Sequence, residues 1–204
     1  SFAQLLFSPL AGSLSDRYGR KKWIVMGLFA FALSEWVFGS TQSITVLFVT
    51  RFLGGVGAAF ITPAVMAYVS DTTTHEERAK GMSYMNAAIS TGFIIGPAIG
   101  GIISPYGIQI PFYSAAIAAG LAMILSLILL PESLSKEERK KNRKQVNKTS
   151  DLIHQFNKSL QSPYIYGLLV VLVFSFGLVM FETIFGLYVS REYSFTTKEI
   201  AMVI

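Results

Sequence analysis

Cysteine is absent from the 204 residues, and histidine occurs only as His75 and His154. Disulfide frameworks, cysteine-ligated metals and thiol nucleophiles are therefore excluded. The two histidines stand far apart in polar segments, a poor basis for a metal cluster. No metal or organic cofactor is expected, and no catalytic constellation stands out. Charge is scarce as well. Asp, Glu, Lys and Arg make up 14% of the chain against 52% hydrophobic residues, whereas soluble domains run near a quarter charged. The balance is basic, a formal +5. Most cations nevertheless fall between apolar runs rather than on one face, which argues against nucleic acid as a partner.

What remains is apolar length, and it implies an all-α transmembrane chain in contact with a lipid bilayer. Six hydrophobic segments can be placed: Ser1 to about Leu14, Trp23–Thr41, Thr45–Val69, Met82–Ile103, Ile110–Leu130 and Tyr164–Val189. A span needs about 20 such residues to cross roughly 30 Å of hydrocarbon. The first is short for this. A seventh begins at Ile200, after a Thr196–Glu199 capping box. The chain reads as an internal piece of a larger protein.

The segments between these runs alternate in charge. Residues 12–22 hold Arg17, Arg20, Lys21 and Lys22, residues 71–81 hold Arg78 and Lys80, and residues 131–163 hold eight cations from Lys136 to Lys158. The intervening loops, Ser40–Thr45 and Ser104–Gln109, hold none. Short loops rich in Lys and Arg stay in the cytoplasm, so the loops at 12–22, 71–81 and 131–163 are expected inside. The long one divides the chain into a bundle at 1–130, a central loop at 131–163 and the start of a second bundle at 164–204. In that loop Ser135–Glu138 offers a capping box. Leu152, Ile153, Phe156 and Leu160 recur at helical spacing, as in a helix lying on a membrane surface. A solvated linker is the plainer alternative.

Several residues inside the spans carry chemistry. Arg51 interrupts an apolar run, which costs several kcal/mol unless it faces a cavity, finds a partner or snorkels to the interface. Glu35 occupies the outer half of its span, close to the external interface. Gly92, Gly96 and Gly100 repeat every fourth residue and form a smooth face for a neighbouring helix, with Pro97 able to bend the span. Glu182 lies in an apolar, aromatic stretch with no cation at helical spacing. Such a carboxylate can exchange a proton for a cation, or simply hydrogen-bond between helices. In the basic turn, Gly12 and Gly19 allow bending or close packing. Thr74 and Glu77 fit a helix cap.

Gly12-Ser-Leu-Ser-Asp16-Arg17-Tyr-Gly19-Arg20-Lys21 resembles the signature Gly-x-Leu-x-Asp-Arg-x-Gly-Arg-[Arg/Lys] of the major facilitator superfamily, found between its second and third spans. Arg51-Phe-Leu-Gly54-Gly55-Val-Gly57-Ala-Ala59 is similar to its fourth-span motif, with Gly54 where glutamine is usual; the motif's arginine is linked to proton transfer. Gly96-Pro97-Ala-Ile-Gly100-Gly101 resembles the fifth-span signature of drug–proton antiporters. The whole chain resembles the twelve-span multidrug efflux pumps of Gram-positive bacteria, of the norfloxacin-resistance type.

The resemblance implies a major facilitator helical bundle, with spans two to seven and the start of the eighth present. It implies a transporter rather than an enzyme, exporting amphipathic, often cationic drugs from a bacterial cell and driven by a proton gradient. Gln4, Phe7, Ser90, Phe93, Phe181 and Glu182 would line the substrate cavity, and Glu182 and Arg51 would couple protons. Gly12, Asp16, Arg17, Gly19 and Arg20, with Gly92, Gly96, Pro97, Gly100 and Gly101, would serve conformational gating. An uptake symporter for a sugar or other metabolite is the alternative, and the Gly96–Gly101 pattern argues against it. A non-transporting membrane protein is a further one, which Arg51 and Glu182 argue against.

Overall fold

The computed structural model describes residues 2–135, 137, 139 and 164–192. Its helices are α1 (Phe2–Tyr18), α2 (Arg20–Ser40), α3 (Ile44–Thr72), α4 (Arg78–Ile103), α5 (Ile110–Leu129) and α6 (Tyr164–Glu192), with a 3-10 turn at Ser104–Tyr106. Most of the 131–163 loop, with its Leu152–Leu160 stretch and the Glu138 end of its Ser135–Glu138 cap, lies outside the described residues. So does the helix start at Thr196–Ile200. Four stretches, Arg20–Ser40, Ile44–Thr72, Arg78–Tyr106 and Ile110–Leu129, are long and apolar enough to cross a membrane. They coincide with the apolar runs to within a few residues.

The basic turn is much tighter than its polar composition suggests. The apolar run ends near Leu14, but the helix does not: α1 continues to Tyr18 and α2 starts at Arg20, so Gly19 alone forms the break. Serines inside a helix can return their hydroxyls to the preceding turn. Ser13 donates to the Leu10 carbonyl at 3.0 Å and Ser15 to the Gly12 carbonyl at 2.8 Å, so the helix absorbs them without a bend in register. Gly12 is therefore a helix-interior residue. The next basic segment is short too, since α3 ends at Thr72 and α4 begins at Arg78. There the Glu77 N–H donates to Thr74 Oγ1 at 3.3 Å, and the Thr74 hydroxyl donates to Glu77 Oε2 at 3.1 Å. The two expected residues thus close the turn on each other, but the first residue before α4 is Glu77, which makes no side-chain cap, so the full capping box does not form.

Small residues decide where the helices meet. In lipid there is little hydrophobic drive between helices, so close approach and van der Waals fit must hold them. On α2 and α3, Gly27 faces Gly57 so tightly that a Cβ on Gly57 would stand 2.8 Å from the Gly27 carbonyl oxygen and 3.0 Å from the Phe31 nitrogen. Trp23 stacks on Phe60 beside this crossing, with centroids 4.7 Å apart. Because backbone atoms cannot rotate away, Gly57→Ala should separate the pair and destabilise the folded protein by about 1–3 kcal/mol, the usual cost of overpacking. Thermal unfolding of the full-length protein in nanodiscs measures it. Against the other side of α2, Gly39 lies under Phe112 and Tyr113 of α5.

Two faces have no such neighbour. No atom lies within 4 Å of a Cβ placed on Gly92, Gly96 or Gly100, so the described helices do not fill the glycine face of α4. Among the described residues α6 makes no packing contact with α1–α5.

Candidate functional site

Charges gather at both ends of the α2–α3 pair. At the basic end Arg20 is buried, and its guanidinium joins two other helices. Its Nη1 pairs with Asp16 and donates to Ser15 Oγ at 2.9 Å, both on α1, and its Nε donates to Asp71 Oδ2 of α3 at 3.1 Å. The chain leaving α5 completes the network. Ser133 Oγ donates to the same Asp71 oxygen at 3.1 Å, and Glu132 Oε1 accepts the Arg20 backbone N–H at 2.8 Å. Arg139 pairs with Glu132 at 3.6 Å while donating twice to the Leu134 carbonyl, and Lys21 Nζ donates to the Leu127 carbonyl at 2.7 Å. Charge-assisted bonds of this kind are roughly twice as strong as neutral ones.

Gly19 makes this arrangement possible. Its φ of 104° and ψ of 146° lie in a region that is essentially glycine-only. The Glu132 carboxylate rests against the bare Cα, with its carbon 2.8 Å from where a Cβ would be.

At the opposite end, Glu35 of α2 and Arg51 of α3 form a forked pair. Nη1 reaches Oε1 at 3.1 Å and Nη2 reaches Oε2 at 3.5 Å. The Arg51 guanidinium also lies over the Phe38 ring, 3.8 Å from its centroid, and 5.6 Å from that of Phe112. Ring faces carry negative quadrupole density, so they favour a cation there. Ser34 Oγ donates to the Thr50 carbonyl at 2.6 Å one residue earlier on each helix.

The residues expected to line a substrate cavity are distributed over three helices. Gln4 and Phe7 are half-buried on α1, and Phe7 meets Phe52 of α3 edge-on at 6.0 Å. Ser90 and Phe93 are exposed on α4, and Phe181 on α6 stacks on Phe185 at 5.4 Å. Glu182 belongs to α6, and its side chain lies outside the described residues. Among the described residues α3 meets both α1 and α4, but α1 and α4 do not meet each other and α6 meets neither.

The Major Facilitator Superfamily model matches residues 1–204. The chain belongs to the major facilitator superfamily. It is thus a multi-pass membrane protein of a transporter family. This major facilitator chain is 46% identical over 204 residues to multidrug resistance protein 2 of Bacillus subtilis (strain 168), covering all of itself and 51% of that relative. Multidrug resistance protein 1 of the same strain is 43% identical over the same length. Quinolone resistance protein NorA of Staphylococcus aureus (strain Mu50 / ATCC 700699) is 32% identical over 206 residues. The chain spans about half the length of these curated relatives. A solved structure, that of the human organic anion transporter MFSD10 (TETRAN), superposes with a TM-score of 0.61 at 28% identity. It covers 67% of this chain and 31% of the other.

Sequence reasoning missed two sets of partners. Glu35 read as an interface residue and Arg51 as a charge in search of a partner. The hairpin joins them: Glu35 lies eight residues before Ser43 and Arg51 eight after it, in antiparallel spans joined by a short loop. Asp71, Glu132 and Ser133 as partners of Arg20 left no such signal, because the contact to Glu132 closes over 112 residues.

Proposed function

We propose that the full-length protein is a proton-coupled multidrug exporter of the bacterial cell membrane. It moves amphipathic, often cationic compounds outward by alternating access of two helical halves. The observation carrying this reading is the match of all 204 residues, at 46% identity, to a protein named for multidrug resistance. The fold favours it too, because charges inside apolar spans are costly to keep without a use. In this scheme the loops at 12–22, 71–81 and 131–163 face the cytoplasm, and the Arg20 network at their end of the bundle gates the rocking of the halves. Gln4, Phe7, Ser90, Phe93 and Phe181 contact the drug.

Glu182 alternates between holding a proton and holding the cation, with Arg51 assisting. A proton from outside neutralises Glu182 and releases the drug; its loss to the cytoplasm restores the carboxylate for the next one. Rocking about a midplane site supplies access to each side in turn. The test is ethidium export by everted vesicles carrying the full-length protein. Glu182→Gln should lower proton-dependent export by roughly tenfold or more, an ordinary size for coupling between two ligands. Unchanged export would remove Glu182 from the mechanism, and no proton-driven export of any amphipathic cation by the wild type would remove the exporter reading.

A further inference from the structure

Between Trp23 and Ser70, and again between Gly81 and Leu130, the chain contains two charged residues in all, Glu35 and Arg51. The fold places them against each other. Their burial is unequal: the Glu35 side chain is 6% exposed and that of Arg51 50% exposed. Among the described residues the carboxylate is enclosed, while the guanidinium is held on one side and left uncovered on the other. Its held side, among the same residues, meets Glu35 and Phe38 of α2 and Phe112 of α5. Of the elements packed on α2, α3 brings Arg51 to Glu35. α5 brings Tyr113, whose hydroxyl donates to Ser40 Oγ at 3.3 Å. The ionisable residues of α1 (Asp16, Arg17 and Tyr18) all lie at the basic end.

We infer that Glu35 is a positioning residue for Arg51. Ionised, it holds the guanidinium on Phe38 and away from the open side. Neutralised by an external proton, it loses the charge-assisted fork and frees Arg51 to swing toward a partner on that side. A ring face alone holds a cation less firmly than a ring face with a carboxylate. The pair therefore gives the outer end its own response to external acid. This inference rests on the exporter reading and names a regulation of the Arg51 site within it.

The test uses the full-length protein and varies external pH during ethidium export. Glu35→Gln mimics the neutral state, so at a fixed pH difference across the membrane the change in export rate between acidic and alkaline media should shrink, leaving the part that Glu182 carries. Glu35→Asp retains a carboxylate and should restore most of the pH response. In nanodiscs, the melting temperature lost on Arg51→Gln should be several degrees smaller in the Glu35→Gln background and should shrink in acid. A wild-type pH profile in a folded, exporting Glu35→Gln protein would overturn the role of Glu35 alone, even if the melting shifts were present. Failure of the wild type to export would overturn the exporter reading and this inference with it.

Discussion

Gly19→Ala is expected to cost the folded protein about 3–4 kcal/mol. Two contributions add. An alanine in this glycine-only region carries a backbone penalty of about 1–3 kcal/mol. Its methyl also occupies the place of the Glu132 carboxylate, which must move off the Arg20 N–H and forfeit a charge-assisted bond of about 1.5–3 kcal/mol. Part of the second contribution returns if Glu132 finds water or Lys21. A control separates the two: Glu132→Gln should lose less, because it keeps an acceptor and leaves φ alone. The measurement is thermal unfolding in nanodiscs. Equal stability of Gly19→Ala and wild type would show that the α1–α2 break does not need glycine.

Arg20→Met is expected to be as damaging, at about 3–5 kcal/mol, the range for removing one partner of a buried ion pair. Methionine fills much of the volume but leaves Asp71 without its cation and Ser15 without its donor. The Asp71 side chain is 26% exposed and that of Asp16 47%, so most of the loss comes through Asp71 while water rescues Asp16. Replacing Asp71 by Asn in the Arg20→Met background should recover part of the stability, since the unpaired charge is then gone. Additive losses in the double variant would mean the two residues do not act as a pair.

These effects differ in how far they could be read from the sequence. The spans were legible because crossing hydrocarbon demands an apolar length that few other constraints imitate. The helix ends were not. Ser13, Ser15 and Asp16 look like loop residues, yet their hydroxyls turn back on α1 and the aspartate bridges the break to Arg20. Gly19 could be singled out for its freedom, but the carboxylate pressed against it comes from beyond α5. Arg51 stood out as a costly charge, while its partner was overlooked because helical spacing searches along one helix and Glu35 lies on the next. The glycine row of α4 was legible as a packing face, and among the described helices it remains uncovered.

The most direct test of the whole account is transport by the purified full-length protein in liposomes under an imposed pH gradient. Ethidium should move against its own gradient when protons flow the opposite way and stop when an ionophore collapses the pH difference. Ethidium movement indifferent to the proton gradient, or none at all from folded protein, would contradict it.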